Sequence, residues 1–157
     1  NSYKGVRRRF EEKKNNRDVF VVDDYAHHPT EVDATIKAAK SGWNKKIVSV
    51  FQPHLFSRTK DFFKEFAKSL FDSDEIIITD IYPAREKPIK GVSAKLIIDE
   101  LKLLGHNNTH YLNDIENLNQ LLDAIIKPGD MVITMGAGNI WRYSDKYNEH
   151  LKSVDTI

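Results

Sequence analysis

Four short polar segments carry most of the side chains in this sequence with the chemistry to grip a small molecule. The first, Asp23-Asp24-Tyr25-Ala26-His27-His28-Pro29, sets carboxylates, a phenol and two imidazoles just ahead of a helix expected to begin near Thr30. A helix N-terminus offers free N–H groups and partial positive charge, which suit phosphate. His27 can add a donor to such a phosphate, and Asp24 can accept from ribose hydroxyls. The plainer alternative is that Asp23, Thr30 and Glu31 cap the helix while the histidines face solvent. Adjacent histidines do not readily turn toward one ion, so no metal site is expected. The second segment, Gln52-Pro53-His54-Leu55-Phe56-Ser57-Arg58, offers His54 and Arg58 to a small carboxylate, with the guanidinium able to bind both oxygens. Here the alternative is Ser57 as an N-cap and Arg58 solvated in the first turn. In the third segment, Tyr82-Pro83 and Lys87-Pro88 stiffen the chain, and Arg85 and Glu86 are spaced to pair with each other. The fourth, Gly136-Ala137-Gly138-Asn139, is half of a dinucleotide fingerprint without its third glycine, and reads better as a tight strand-to-helix turn.

These segments need a scaffold, and the apolar pattern supplies one. Residues 18–22, 47–51, 75–79 and 131–135 are nearly continuous apolar runs, the pattern of strands covered on both faces. Between them, Val32, Ile36 and Ala39 share one helical face, and Phe62, Phe63, Phe66, Ala67 and Leu70 another. Leu96, Ile97, Leu101 and Leu104 form a third, and Ile115, Leu118, Leu121, Leu122 and Ile125 a fourth; a last helix is expected from Ile140 to Leu151. Gly42, Gly105 and Pro128-Gly129 punctuate the helix ends, and Ser57, Ser93 and Asp114 stand at N-cap positions. Residues 6–12 read as an extra strand, returned antiparallel by a turn around Asn15-Asn16. The expected fold is α/β, a Rossmann-like three-layer sandwich whose mainly parallel sheet has about six strands and an antiparallel N-terminal strand. The four polar segments all follow strand ends, where open parallel sheets bind ligands. Residues 1–4 read as a linker and residues 5–157 as one domain.

Composition removes other classes. The 157 residues carry 24 basic and 23 acidic side chains, a net charge of +1 that gives no general attraction for nucleic acid or acidic membranes. The run of Lys4, Arg7, Arg8, Arg9, Lys13, Lys14 and Arg17 is interrupted by Glu11, Glu12 and Asp18, and reads as the charged face of an edge strand. The absence of cysteine rules out disulfides and thiolate chemistry. No apolar run reaches membrane-spanning length, and the opening Asn-Ser-Tyr-Lys-Gly lacks a signal-peptide pattern. None of the seven glycines is followed by lysine, so there is no P-loop to cradle the β- and γ-phosphates of ATP.

Taken together the motifs are similar to those of the Mur ligase C-terminal domain, especially the alanine-adding branch. The shared features, in order, are Gly5-Val6-Arg7-Arg8-Arg9-Phe10, Asp23-Asp24-Tyr25-Ala26-His27-His28-Pro29-Thr30-Glu31-Val32, Phe51-Gln52-Pro53-His54, Ser57-Arg58-Thr59, Tyr82-Pro83-Ala84 and Gly136-Ala137-Gly138-Asn139-Ile140. The resemblance covers almost the whole chain. It implies a cytoplasmic, three-domain ATP-dependent ligase in which UDP-N-acetylmuramate is phosphorylated by MgATP and the acyl phosphate is attacked by L-alanine. The N-terminal and central domains would bind the UDP-sugar and most of ATP and Mg2+, and this domain would be inactive alone. The resemblance assigns Arg9 to the ATP phosphates, Asp24 to the ribose, Tyr25 and His27 to the nucleotide and reaction cleft, and His54 and Arg58 to the incoming alanine. Some relatives carry a second arginine after the Phe-Gln-Pro-His histidine, where this chain has Leu55. A ligase that recycles a murein tripeptide onto the same UDP-sugar shares the Arg-Arg and Asp-x-Ala-His-His-Pro features, while the Phe-Gln-Pro-His and Arg-Thr loop favours the alanine-adding branch. A rival of another class is a free-standing, non-catalytic nucleotide-binding module.

Overall fold

The computed structural model describes residues 10–13, 15 and 17–153. The expected linker at residues 1–4, the first part of the expected leading strand, and Arg9 lie outside the described residues. Among the described residues the order is β1 (Glu11–Lys13), β2 (Phe20–Asp24), α1 (Pro29–Gly42), β3 (Ile47–Phe51), α2 (Phe56–Leu70), β4 (Glu75–Thr79), α3 (Lys95–Leu103), β5 (Thr109–Leu112), a 3₁₀ turn (Ile115–Asn117), α4 (Leu118–Ile125), β6 (Met131–Met135) and α5 (Ile140–Ser153). The sheet runs β1-β2-β6-β3-β4-β5. It is parallel except for the antiparallel β1–β2 pair, so the fold class expected from the alternating pattern is the one observed.

Side chains alternate across each strand, so the sheet supports two cores. Val22, Phe51, Ile76, Ile78, Ile133 and Met135 face α1, α2 and α3, meeting Val32, Ile36, Phe66, Leu70, Ile97 and Leu101. Val21, Val48, Val50, Ile77 and Val132 face α4 and α5, meeting Leu118, Leu122, Tyr147 and Leu151. The chain therefore leaves β2, β3 and β4 toward one layer, and β5 and β6 toward the other. β6 lies between β2 and β3, so loops departing to opposite faces open a crevice beside its carboxyl end.

Several local details differ from the pattern-based expectations. β2 begins two residues later than expected because Asp18 takes a positive φ of 56° and its carbonyl accepts the Gly129 N–H, which ends any extended run there. The strand instead continues through Asp23 and Asp24, both buried, and Thr134 donates to the Asp23 carboxylate at 2.6 Å. β5 is the strand that no apolar run announces: a short, half-exposed edge pairing only with β4. Phe62 is 41% exposed because it sits at the margin of the α2 stripe, whose centre is Phe66 and Leu70. Asp114 caps as expected, accepting the N–H of Glu116. Ser93 stands one residue ahead of the α3 cap position, Ala94, and accepts the Lys95 N–H from there. Ser57 does not: it lies inside α2, and the cap position is Leu55.

Candidate functional site

The crevice wall begins at Asp24. Its two oxygens accept backbone N–H groups from Ala26 (2.9 Å) and Phe10 (2.7 Å), so this carboxylate binds the end of β2 to the segment entering β1. Tyr25, next in line, is 40% exposed and packs edge-on against His27 with ring centroids 5.0 Å apart. His27 Nδ1 lies 2.8 Å from the Tyr25 carbonyl, which can only accept; Nδ1 therefore carries the proton and leaves Nε2 for another partner. Glu31 caps α1 by accepting the N–H groups of both His27 and His28 at 3.1 Å. Burial raises the Glu31 pKa, yet those two hydrogen bonds hold it below its ordinary value. Glu31 and His28 thus form a reciprocal capping box at the start of α1.

The second loop meets the first through its rings. His54 lies 6.2 Å from His27 and stacks on Tyr82 at 5.6 Å with 18° between planes. The stack is enforced by backbone: Leu55 N–H donates to Tyr82 O at 2.9 Å, and Tyr82 N–H to Pro53 O at 2.8 Å. This makes a one-residue parallel bridge beyond the sheet. Gln52 binds the same loop to the fourth segment, donating to Asn139 Oδ1 at 2.8 Å and accepting Ile140 N–H at 3.2 Å. The Gly136–Asn139 turn is therefore packed against protein, as a strand-to-helix turn. Beside it, Gln52, Thr79, Tyr82, Asn113 and Asn139 line a hollow of about 150 Å³. A larger hollow of about 250 Å³ sits at Tyr147, where Asp123 pairs with His150 at 2.6 Å, and includes none of the expected site residues.

Two buried polar atoms stand out on this wall. His54 Nδ1 and Arg58 Nη1 are buried with no hydrogen-bond partner. A buried guanidinium N–H without an acceptor is costly, and a carboxylate is the group whose geometry matches it. Burial, then the Arg58 charge, then His27 lower the His54 pKa below its ordinary 6.5, against a smaller opposing pull from Glu86; burial and Arg58 do the same to His28. Both rings are thus biased toward the neutral form by burial and by the neighbouring Arg58 charge. Because unfolded histidine binds its proton more readily, the fold should lose stability as pH falls through the ordinary histidine range near 6.5. An NMR titration of the His54 ring should give a midpoint below 6.5 that moves back up in Arg58→Ala; a midpoint at or above the ordinary value would refute the buried, cation-facing placement.

Of the expected residues, the structure therefore gathers Tyr25, His27, His54 and Arg58 on one wall, with Asp24 at its edge. Arg85 and Glu86 do not pair as expected. Glu86 reaches Ser57 instead, accepting its backbone N–H at 3.1 Å and its hydroxyl. Neither that contact nor the Tyr82 stack is encoded in local spacing, although the prolines beside Tyr82 mark its loop as stiff. Among the described residues, no three His, Asp or Glu side chains are grouped to hold a metal ion, and no helix is long and apolar enough to cross a membrane.

A mostly parallel six-stranded sheet with His27, His54 and Arg58 at the carboxyl edge of its strands defines a doubly wound α/β domain. The model of the Mur ligase, glutamate ligase domain family matches residues 8–138, and this chain belongs to that family. It is 50% identical over 151 residues to the UDP-N-acetylmuramate–L-alanine ligase of Geotalea uraniireducens (strain Rf4), a match spanning 96% of this chain and 33% of that protein. The solved UDP-N-acetylmuramate-alanine ligase of Thermotoga maritima superposes with a TM-score of 0.76 at 30% identity, over 93% of this chain and 30% of that one. A murein peptide ligase from Psychrobacter arcticus 273-4 shares the fold, with a TM-score of 0.79 at 20% identity over 99% of this chain and 32% of that one. The chain thus spans about a third of the length of the relatives it matches.

Proposed function

We propose that this chain is the amino-acid-positioning domain of an ATP-dependent UDP-N-acetylmuramate–L-alanine ligase, acting in the cytoplasm in peptidoglycan precursor synthesis. The observation that carries the reading is the buried, unpartnered Arg58 Nη1 beside the equally buried and unpartnered His54 Nδ1. Arg58 takes the alanine carboxylate, and His54 closes the pocket around the small side chain and the amine. Tyr25 and His27 line the nucleotide side of the cleft. Asp24, at the end of β2, is assigned to the ribose by family resemblance. Arg9 is assigned to the ATP phosphates by family resemblance.

The rest of the site belongs to the enzyme's own central and N-terminal domains. This chain has no Gly-Lys-Ser/Thr motif and no clustered carboxylates among its described residues, so MgATP and the UDP-sugar are bound mainly on the opposite wall. MgATP supplies the phosphoryl group that activates the UDP-N-acetylmuramate carboxylate. The work of this domain is positional: it brings the alanine amine within attack distance of the acyl phosphate and keeps water out of the closed cleft. Separated from that wall, the domain is inactive.

The test is substrate choice in the full-length ligase. With UDP-N-acetylmuramate and MgATP present, kcat/KM for L-alanine should exceed that for a murein tripeptide by about a hundredfold or more. The opposite preference would assign the chain to the recycling ligase. Turnover with neither substrate would make it a non-catalytic nucleotide-binding module.

A further inference from the structure

The roles proposed above leave Glu86 unused, although it is tied to the helix that carries Arg58. The residue at the cap position of α2, Leu55, has an apolar side chain and a positive φ of 74°, and so cannot satisfy the free N–H groups of the first turn. Glu86 does so from 29 residues away, accepting the Ser57 N–H at 3.1 Å and the Ser57 hydroxyl. The hydrogen bond from the Ser57 hydroxyl, then those from the Ser57 and Phe56 N–H groups, hold its carboxyl below the ordinary range. A tight turn aims it: Ala84 takes a φ of 54°, and Glu86 N–H donates to Pro83 O at 2.8 Å.

The arrangement answers an electrostatic problem. Arg58 sits in the first turn of α2, where the helix dipole repels a cation. Few residues are less suited to that place, unless it is needed there. Glu86 brings the opposing charge, and its field reaches both Arg58 and His54. The same loop presents Tyr82 to the His54 ring. One segment, from Tyr82 to Glu86, therefore holds both members of the carboxylate pocket.

We propose that Glu86 is the positioning residue of the amino-acid pocket: it caps α2 from the third loop and so fixes Arg58 at the distance and angle that a single small amino acid requires. This rests on the reading of Arg58 as the carboxylate ligand.

The experiment is steady-state kinetics of the full-length ligase, with alanine and ATP varied separately, for Glu86→Ala, Glu86→Gln and Arg58→Ala. Glu86→Ala should raise the alanine KM about tenfold while kcat and the ATP KM change less than about twofold. Glu86→Gln keeps an oxygen for the Ser57 N–H but loses the charge facing Arg58, and should raise the alanine KM about threefold. Amide exchange at Phe56 and Ser57 should quicken in Glu86→Ala. A wild-type alanine KM in either Glu86 variant, with Arg58→Ala raising it, overturns the positioning role and leaves the Arg58 reading standing. Wild-type values in all three variants overturn both. If Glu86→Ala does not fold, Glu86→Gln decides by the same criterion.

Discussion

Arg58→Ala in the full-length ligase should raise the alanine KM by two orders of magnitude while leaving the ATP KM within about twofold. The size follows from what the guanidinium meets. Arg58 Nη1 is buried with no protein acceptor, so in the empty protein it bears an uncompensated desolvation cost that a bound carboxylate relieves. A charge-assisted, two-pronged pair in such surroundings is worth about 3 kcal/mol, or about a hundredfold in binding. The specificity for KM follows from position. Arg58 lies on α2, on the His54 side of the wall, whereas the proposed nucleotide side is the loop that follows β2. Lysine should not restore binding, because an ammonium cannot match both oxygens from one fixed plane. Equal losses in alanine and ATP KM would mean that Arg58 holds the domain together rather than the substrate.

What could be read beforehand depends on how far apart the interacting residues are in the chain. β3, β4 and β6 fall where the apolar runs place them, because each is buried on both faces and built around β-branched and other apolar residues. β2 is misplaced by two residues for the converse reason. Asp23 and Asp24 look like loop residues, yet Thr134 and two backbone N–H groups make their burial tolerable. β5 has no buried face to advertise it beyond Leu112.

The site divides the same way. Residue type and placement after strand ends point to Asp24, Tyr25, His27, His54 and Arg58, since a parallel sheet brings such loops to one edge whatever their spacing. What supports them cannot be read locally. Glu86 finds Ser57 across 29 residues, and Gln52 finds Asn139 across 87. The Arg85–Glu86 pair expected from adjacency fails because Glu86 has a stronger claim on it, the positive end of α2. In the first loop Glu31, one of the caps that the plainer alternative named, accepts the His27 and His28 N–H groups at the start of α1.

Gly138→Ala should cost about 2–3 kcal/mol of stability, lowering the midpoint of thermal unfolding by about 5–10 °C. A methyl group there would lie 2.5 Å from Tyr82 Cγ and 2.8 Å from Gln52 Oε1. Neither neighbour can yield cheaply. Gln52 accepts the first N–H of α5 and donates to Asn139, and Tyr82 is pinned by two backbone hydrogen bonds and stacked on His54. Relief must therefore come from moving Tyr82, and with it His54, so the alanine KM in the full-length enzyme should rise as well. This separates two meanings of the same glycine. A glycine kept for the approach of a nucleotide would tolerate alanine in the absence of ligand and lose only ATP affinity. A glycine kept because tyrosine and glutamine crowd its Cα must lose stability with no ligand present. Circular dichroism melting of wild type and variant without nucleotide distinguishes them, and unchanged midpoints would return the Gly136–Asn139 turn to phosphate binding.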